Sequence, residues 1–272
     1  MSVEQAKLSG IRVLDQPVDP SEKAEYVADM FNAIAPRYDL LNSILSGSLD
    51  RRWRRFAARC ACISTGDSAL DVCSGTGDFA HELRLLVGAS GNVTATDFSP
   101  GMLQSGKEKF AADNVEVIQA DAMDLPFPNC CYDAAVVGFG LRNVAVPAKA
   151  LAEMSRVVKP LGRVVCLEFS HPQGVGVLDR VFKAAYALFS QIFMGTVGGM
   201  ISGRSEAYVY LRESMTRWKT REEISRMMRD ADLTDIRTID LIFGLVCVHV
   251  GVKSASSSES DKLLSAPQDT AR

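Results

Sequence analysis

Beyond residue 65 the chain alternates short apolar runs of strand character with longer stretches whose apolar residues recur at helical spacing. The runs are SALDVC (68–73), NVTATD (92–97), VEVIQA (115–120), YDAAVVGFG (132–140) and GRVVCLEFS (162–170). Between them lie the helical GDFAHELRLLV (77–87), SPGMLQSGKEKFA (99–111) and PAKALAEMSRVV (147–158). Strands alternating with helices predict a parallel sheet wound by crossover helices. A further helix, TREEISRMMRDA (220–231), leads to DIRTIDLI (235–242) and LVCVHVGVK (245–253), separated only by Phe243 and Gly244. So short a link cannot carry a parallel crossover, so the last strand is predicted antiparallel. The pattern therefore predicts an α/β domain with a doubly wound, seven-stranded, mostly parallel sheet.

The ends differ from this core. Residues 1–21 lack a periodic apolar face, and SASSSESDKLLSAPQDTAR (254–272) is too polar and Ser-rich to bury one. A flexible start, one domain over 22–253 and a disordered tail are expected, with 171–219 standing out as an insertion ahead of the final helix. Inside that insertion Leu178, Val181, Phe182, Ala185, Leu188, Phe189, Ile192 and Phe193 form a helical stripe. It reads either as a core-facing helix or as a greasy cap. The longest uncharged apolar run, 186–201, is shorter than the roughly 20 residues of a membrane helix and contains glycines.

The 272 residues carry 30 Lys+Arg against 33 Asp+Glu, which excludes a strongly basic nucleic-acid binder. The concentrated exception is Arg51, Arg52, Arg54, Arg55 and Arg59 around Trp53, either a solvated helix face or a surface for anionic lipid headgroups. Seven Cys without a CxxC pair and only three His make both a disulfide framework and a structural zinc poor readings, so no metal is expected. With no signal peptide at its start, the chain is expected in the cytoplasm, or in an organelle matrix if a targeting segment has been removed.

Candidate chemistry gathers where the strands end. Asp71-Val72-Cys73-Ser74-Gly75-Thr76-Gly77-Asp78 takes a strand through a glycine turn into a helix, the arrangement that brings a ligand to a helix N-terminus. Nicotinamide, flavin and adenosylmethionine enzymes share this signal. Charge favours the last: Asp71 and Asp78 would repel a pyrophosphate but suit an ammonium and a sulfonium. Asp97 ends the second strand where ribose hydroxyls need an acceptor. Asp121 and Ala122 follow the third, where an adenine amino group would find a carboxylate. After the fourth, Gly138-Phe139-Gly140 is followed by Arg142 and Asn143, better suited to substrate than to packing.

These blocks resemble the ubiquinone/menaquinone biosynthesis C-methyltransferases, the UbiE/MenG family, over about Tyr26 to Lys253. The resemblance rests on Met30 to Asn42 (MFNAIAPRYDLLN), Leu49 to Arg55 (LDRRWRR), the LDVCSGTGD turn, Asp121 to Pro128, Phe139 to Asn143 (FGLRN) and Arg156 to Pro160. It implies a class I methyltransferase fold and S-adenosyl-L-methionine as cofactor. The family's cofactor contacts fall on Thr76, Asp97, Asp121, Ala122 and Gly138, beside Asp71, Gly75 and Gly77 of the turn. Gly138 departs from the family Ser, Leu161 replaces the first Gly of a KPGG turn, and His171 stands where Lys is usual.

The implied reaction methylates a ring carbon of a polyprenylated quinol, either demethylmenaquinol or a polyprenyl benzoquinol. Tyr38, Arg142 and Asn143 match the family's proposed apparatus. Arg142 would stabilise a phenolate or a hydroxide-like water, with Tyr38 and Asn143 holding that water and the ring oxygen; His171 is an independent candidate base. Peripheral membrane contact, a homodimer or a quinone-biosynthesis complex are the implied partners, without nucleic acid. The competing readings are a non-catalytic cofactor-binding subunit, a methyltransferase for another lipophilic phenol or a sterol, and, least favoured, a nicotinamide oxidoreductase.

Overall fold

The computed structural model describes residues 20–170, 210 and 213–255. His171, the apolar stripe from Leu178, most of the 171–219 insertion, nearly all of the N-terminal segment and most of the tail lie outside the described residues.

Helices α1 (Pro20–Ile34), α2 (Tyr38–Ser46) and α3 (Leu49–Cys60) precede the sheet, with a 3₁₀ turn at Ala35–Arg37 between the first two. Then β1 (Ser68–Val72), α4 (Asp78–Val87), β2 (Asn92–Asp97), α5 (Pro100–Ala112), β3 (Glu116–Gln119), β4 (Tyr132–Gly138), α6 (Pro147–Val157) and β5 (Val158–Phe169) follow in alternation. The chain returns through α7 (Arg221–Asp230), β6 (Leu233–Leu241) and β7 (Val246–Lys253). The seven strands lie in the order β3-β2-β1-β4-β5-β7-β6. The pairs among β1 to β5 are parallel, while β7 runs antiparallel to both β5 and β6. A 3₁₀ turn at Ile242–Gly244 makes the last connection, slightly longer than the two residues expected from sequence.

Each face of the sheet carries its own core. Trp53, Ala57, Phe79, Leu83 and Phe110 from α3, α4 and α5 cover Ala69, Ala95, Val136, Val165 and Leu167 on one side. Leu151, Met154, Ile224 and Met228 from α6 and α7 cover Leu70, Val72, Val137 and Val164 on the other. Alternate residues of β1 therefore meet opposite cores, which is why its sequence after Ser68 is apolar except at Asp71.

Local signals fix the helix starts. Gly77 enters α4 at φ +93°, and a Cβ there would stand 2.5 Å from the Phe110 ring, so glycine meets both demands. Ser99 caps α5, its Oγ accepting the Met102 amide at 3.2 Å, and Pro100 occupies the first turn. Thr220 and Glu223 form a reciprocal capping box on α7. Leu161, in place of the family Gly, adopts φ +63° with its side chain exposed, so the chain keeps the left-handed turn at the cost of a strained leucine.

All seven cysteines are free: Cys166 and Cys247 are buried, Cys60, Cys73 and Cys131 half-buried, and Cys62 and Cys130 exposed. Among the described residues no helix is long and apolar enough to cross a membrane, and no group of three metal-ligating side chains converges.

Candidate active site

A cleft with about 730 Å³ of empty space, its open mouth included, lies at the ends of β1, β2 and β4, where open α/β sheets bind ligands. Asp97, Asp121, Ala122, Gly138, Asn143 and Tyr38 all line it, so the structure brings together six of the residues chosen from sequence. Asp71, Gly75, Thr76, Gly77 and Arg142 stand behind the wall.

At one end of the cleft, Asp97 accepts the Gly75 amide on Oδ2 and the Ser99 amide on Oδ1, both at 2.8 Å. A carboxylate offers about four acceptor positions, so these amides leave acceptor capacity for a ribose hydroxyl. Burial raises the Asp97 pKa while the amides of Ser99, Gly75 and Phe98 lower it, leaving a net upward shift. Asp121 accepts the Met123 amide at 2.8 Å on Oδ1. Met102, Phe98 and Met123 supply apolar surface between the two acids, a combination suited to an adenine ring with a ribose.

The glycine turn is tied to Asp97 through the Gly75 amide, and its charges differ from the sequence expectation. Asp71 is fully buried on β1, and neither carboxyl oxygen has a hydrogen-bond partner. Burial pushes its pKa up to about 8, with the Arg54 charge the main opposing pull. Burial also works on Asp78, but the Lys109 hydrogen bond and the Arg54 and Lys109 charges hold it below the usual carboxylate range. The two acids taken to repel a pyrophosphate are thus one protonated carboxyl near neutrality and one ion-paired carboxylate. The charge argument is weaker than the sequence implied, and the choice of cofactor falls to the acids of the cleft and to kinship.

Arg54 corrects the picture of a uniformly exposed basic cluster. Arg51, Arg52, Arg55 and Arg59 face outward, but Arg54 is buried. Its Nη1 donates to Asp50 at 2.9 Å, and its guanidinium lies 5.3 Å from the centre of the Phe139 ring, which lines the cleft. Helical spacing explains this: Trp53, Arg54, Ala57 and Ala58 share the inward face of α3.

Arg142 is buried one layer behind the wall. Its Nη1 donates to Glu168 Oε1 at 2.8 Å and also to the Phe139 carbonyl, and its guanidinium sits 5.2 Å from the centre of the Phe169 ring. Glu168 has no exposed surface and also accepts the amides of Arg142 and Phe169. The neighbouring Asn143 does reach the cleft; its Oδ1 accepts the Tyr210 hydroxyl at 3.2 Å, and burial pushes the Tyr210 pKa up to about 12. Gly138 lines the cleft where a Cβ would meet Phe79 at 2.7 Å, a contact that only glycine avoids on this backbone.

Sequence reasoning missed a whole wall. Val27, Ala28 and Phe31 of α1 line the cleft beside Tyr38, and Asn32 binds the α5 start by accepting Ser99 Oγ at 2.7 Å and the Gly101 amide at 2.9 Å. The apolar VADMF stretch carries this signal, but it lies ahead of the strand-helix alternation that marks the cleft. Glu168 and Asp39 were missed because nothing local distinguishes a partnered acid from a solvated one.

Comparison with known proteins adds kinship to geometry. A family model described as the ubiE/COQ5 methyltransferase family matches residues 20–253. The ubiquinone/menaquinone biosynthesis C-methyltransferase UbiE of Pseudomonas putida (strain W619) is 38% identical over 242 residues, covering 88% of this chain and 93% of that protein. In fold the chain is similar to a methyltransferase solved with the Haloferax volcanii Trm112 activator, with a TM-score of 0.57 at 20% identity over 82% of this chain and 97% of that one. It is also similar to a SAM-dependent methyltransferase from Thermotoga maritima, with a TM-score of 0.52 at 17% identity over 83% and 100% of the two chains.

Proposed function

Because the chain belongs to the ubiE/COQ5 methyltransferase family, whose members transfer methyl groups from adenosylmethionine, we propose that it methylates a ring carbon of a polyprenylated quinol. The fold is the class I methyltransferase fold. The observation that carries the proposal is the cleft itself, whose lining holds two acids suited to ribose and adenine, Asp97 and Asp121, together with the polar side chains of Tyr38 and Asn143.

The cofactor supplies an electrophilic methyl group on a sulfonium. Asp97 would hold the ribose hydroxyls, and Asp121 with the Ala122 backbone the adenine. The turn from Asp71 to Gly77 would back the amino-acid end from behind the wall, and Gly138 would bring bare backbone to the cleft. A ring carbon becomes nucleophilic when a neighbouring phenolic proton is removed, because the phenolate charge delocalises onto it. Tyr38 and Asn143 would orient the ring oxygen and a proton-accepting water. Arg142 would act from behind Asn143, its charge partly balanced by Glu168, by keeping the Phe139–Asn143 turn in place and favouring the phenolate.

Peripheral contact with the membrane that holds such a lipid is supported by Arg51, Arg52 and Arg59 together with the exposed Phe56 on one face of α3, where Arg55 is instead paired with Glu82. The experiment is complementation: in a bacterial host lacking its own quinol C-methyltransferase, expression of the chain should restore methylated quinone, and Asn143→Ala should not. Persistence of the demethyl quinone with a well-expressed chain would overturn the substrate assignment.

A further inference from the structure

The wall formed by α1 and α2 is fastened to α5 at two places. Near the start of α5, Asn32 accepts Ser99 Oγ and the Gly101 amide. Near its end, Lys109 Nζ donates to Asp39 Oδ2 and to Asp78 Oδ1, both at 2.7 Å, and to Thr76 Oγ1 at 3.3 Å. Thr76 in turn donates to Asp39 Oδ1. Gly101 and Lys109 are eight residues apart in the sequence, so the two fastenings stand about 12 Å apart along the helix.

Asp39 therefore joins three parts of the site. It sits in the first turn of α2, directly after Tyr38; it takes the hydroxyl of Thr76 in the glycine turn; and it pairs with the lysine that also holds the first residue of α4. Tyr38 lies against the turn, its Cε1 3.8 Å from where a Cβ of Gly75 would stand, and packs edge-on against Phe31 at 5.9 Å. The charges do not balance: one ammonium faces two carboxylates, so removing the lysine leaves two negative groups around Thr76, whereas removing Asp39's charge leaves a neutral pair.

We infer that Asp39 and Lys109 are positioning residues for adenosylmethionine, holding Tyr38 and the glycine turn as one rigid wall of the cofactor cleft. The inference rests on the reading of this cleft as the cofactor site and is independent of the quinol assignment. Side-chain exposures of 36% for Lys109 and 42% for Asp39 leave the pair open to screening by salt.

The test is calorimetric titration of the full chain with S-adenosylhomocysteine, with thermal unfolding measured alongside. Asp39→Asn should weaken binding about 5-fold, as expected for one half-exposed ion pair and its hydrogen bonds. Lys109→Met should weaken it more, on the order of 20-fold, because the two carboxylates are then left facing each other. The double variant should bind better than Lys109→Met alone, since the repulsion has been removed. Wild-type affinity should fall as salt rises, while that of the double variant should stay level. Lys107→Met, exposed on the same helix, should match the wild type.

A merely structural role would lower the unfolding temperature without this reversal of order. Single variants binding within twofold of wild type, or a double variant weaker than Lys109→Met, would overturn the inference while leaving the cofactor reading intact. A wild-type chain that does not bind S-adenosylhomocysteine would overturn both. If Lys109→Met does not fold, Asp39→Asn and its salt dependence still decide the matter.

Discussion

Asp71 is buried, has no hydrogen-bond partner on either oxygen, and has its pKa pushed up to about 8, so at neutral pH it is mostly protonated. A ligand bringing its amino-acid ammonium to the glycine turn, as both adenosylmethionine and S-adenosylhomocysteine do, favours the carboxylate, so binding should expel the proton. If only the ionised form binds well, apparent affinity carries a factor of 1 + 10^(8 − pH), about 11 at pH 7 and about 1.3 at pH 8.5. The dissociation constant for S-adenosylhomocysteine should therefore fall about 8-fold over that range, while Asp71→Asn should bind weakly and without this dependence. Calorimetry at pH 7 in buffers of different ionisation enthalpy should show about 0.9 proton released per ligand bound. Stability gives an independent check of sign. A carboxyl whose folded pKa is raised contributes stability below its ordinary range near pH 4 and loses it as pH rises through about 8, so Asp71→Asn should gain on the wild type above pH 8 by a few kcal/mol. A wild-type affinity that is level between pH 7 and 8.5, with no proton released, would refute the reasoning.

Other outcomes follow from named contacts. Arg142→Ala should retain cofactor affinity and lose turnover by about 100-fold or more, measured at saturating quinol, and Glu168→Gln, which leaves the arginine without its carboxylate, should lose part of it. His249, fully buried in β7, has its pKa lowered to about 4, chiefly by burial. Its contribution to stability is therefore present above about pH 6.5 and lost as pH falls through about 4, a change of about 3 kcal/mol that His249→Leu should abolish in denaturant titrations across that window. Leu161→Gly should raise stability by about 1 kcal/mol by relieving the left-handed leucine, an effect visible as a higher thermal midpoint. Co-sedimentation with vesicles containing anionic phospholipid should be lost in an Arg51→Glu, Arg52→Glu, Arg59→Glu variant.

The fold was legible because its signals are local and repeated. β1, β2 and β4 announce themselves as apolar runs, Gly77 and Ser99 mark helix starts, and the closeness of DIRTIDLI to LVCVHVGVK admits only an antiparallel pair. The cleft-facing Asp97 and Asp121 were legible for a topological reason, since residues just past strand ends in a wound sheet converge on one crevice. Partnership was not legible. Whether Asp78 is a free carboxylate or the partner of Lys109 depends on a residue 31 positions away, and whether Arg54 faces water or Phe139 depends on how α3 rotates against the sheet. The covering wall of α1 and α2 escaped because its sequence carries no chemistry of its own; Val27, Ala28 and Phe31 matter only through the cleft they close.

The central claim is tested most directly by transfer of a labelled methyl group from adenosylmethionine to a matched pair of reduced substrates, a demethyl-benzoquinol and a demethyl-naphthoquinol carrying the same prenyl tail. The account predicts ring-methylated product from at least one of them, formed by the wild type and lost in Asn143→Ala, with the ratio of the two identifying the quinol class. A chain that binds S-adenosylhomocysteine yet labels neither quinol would contradict it.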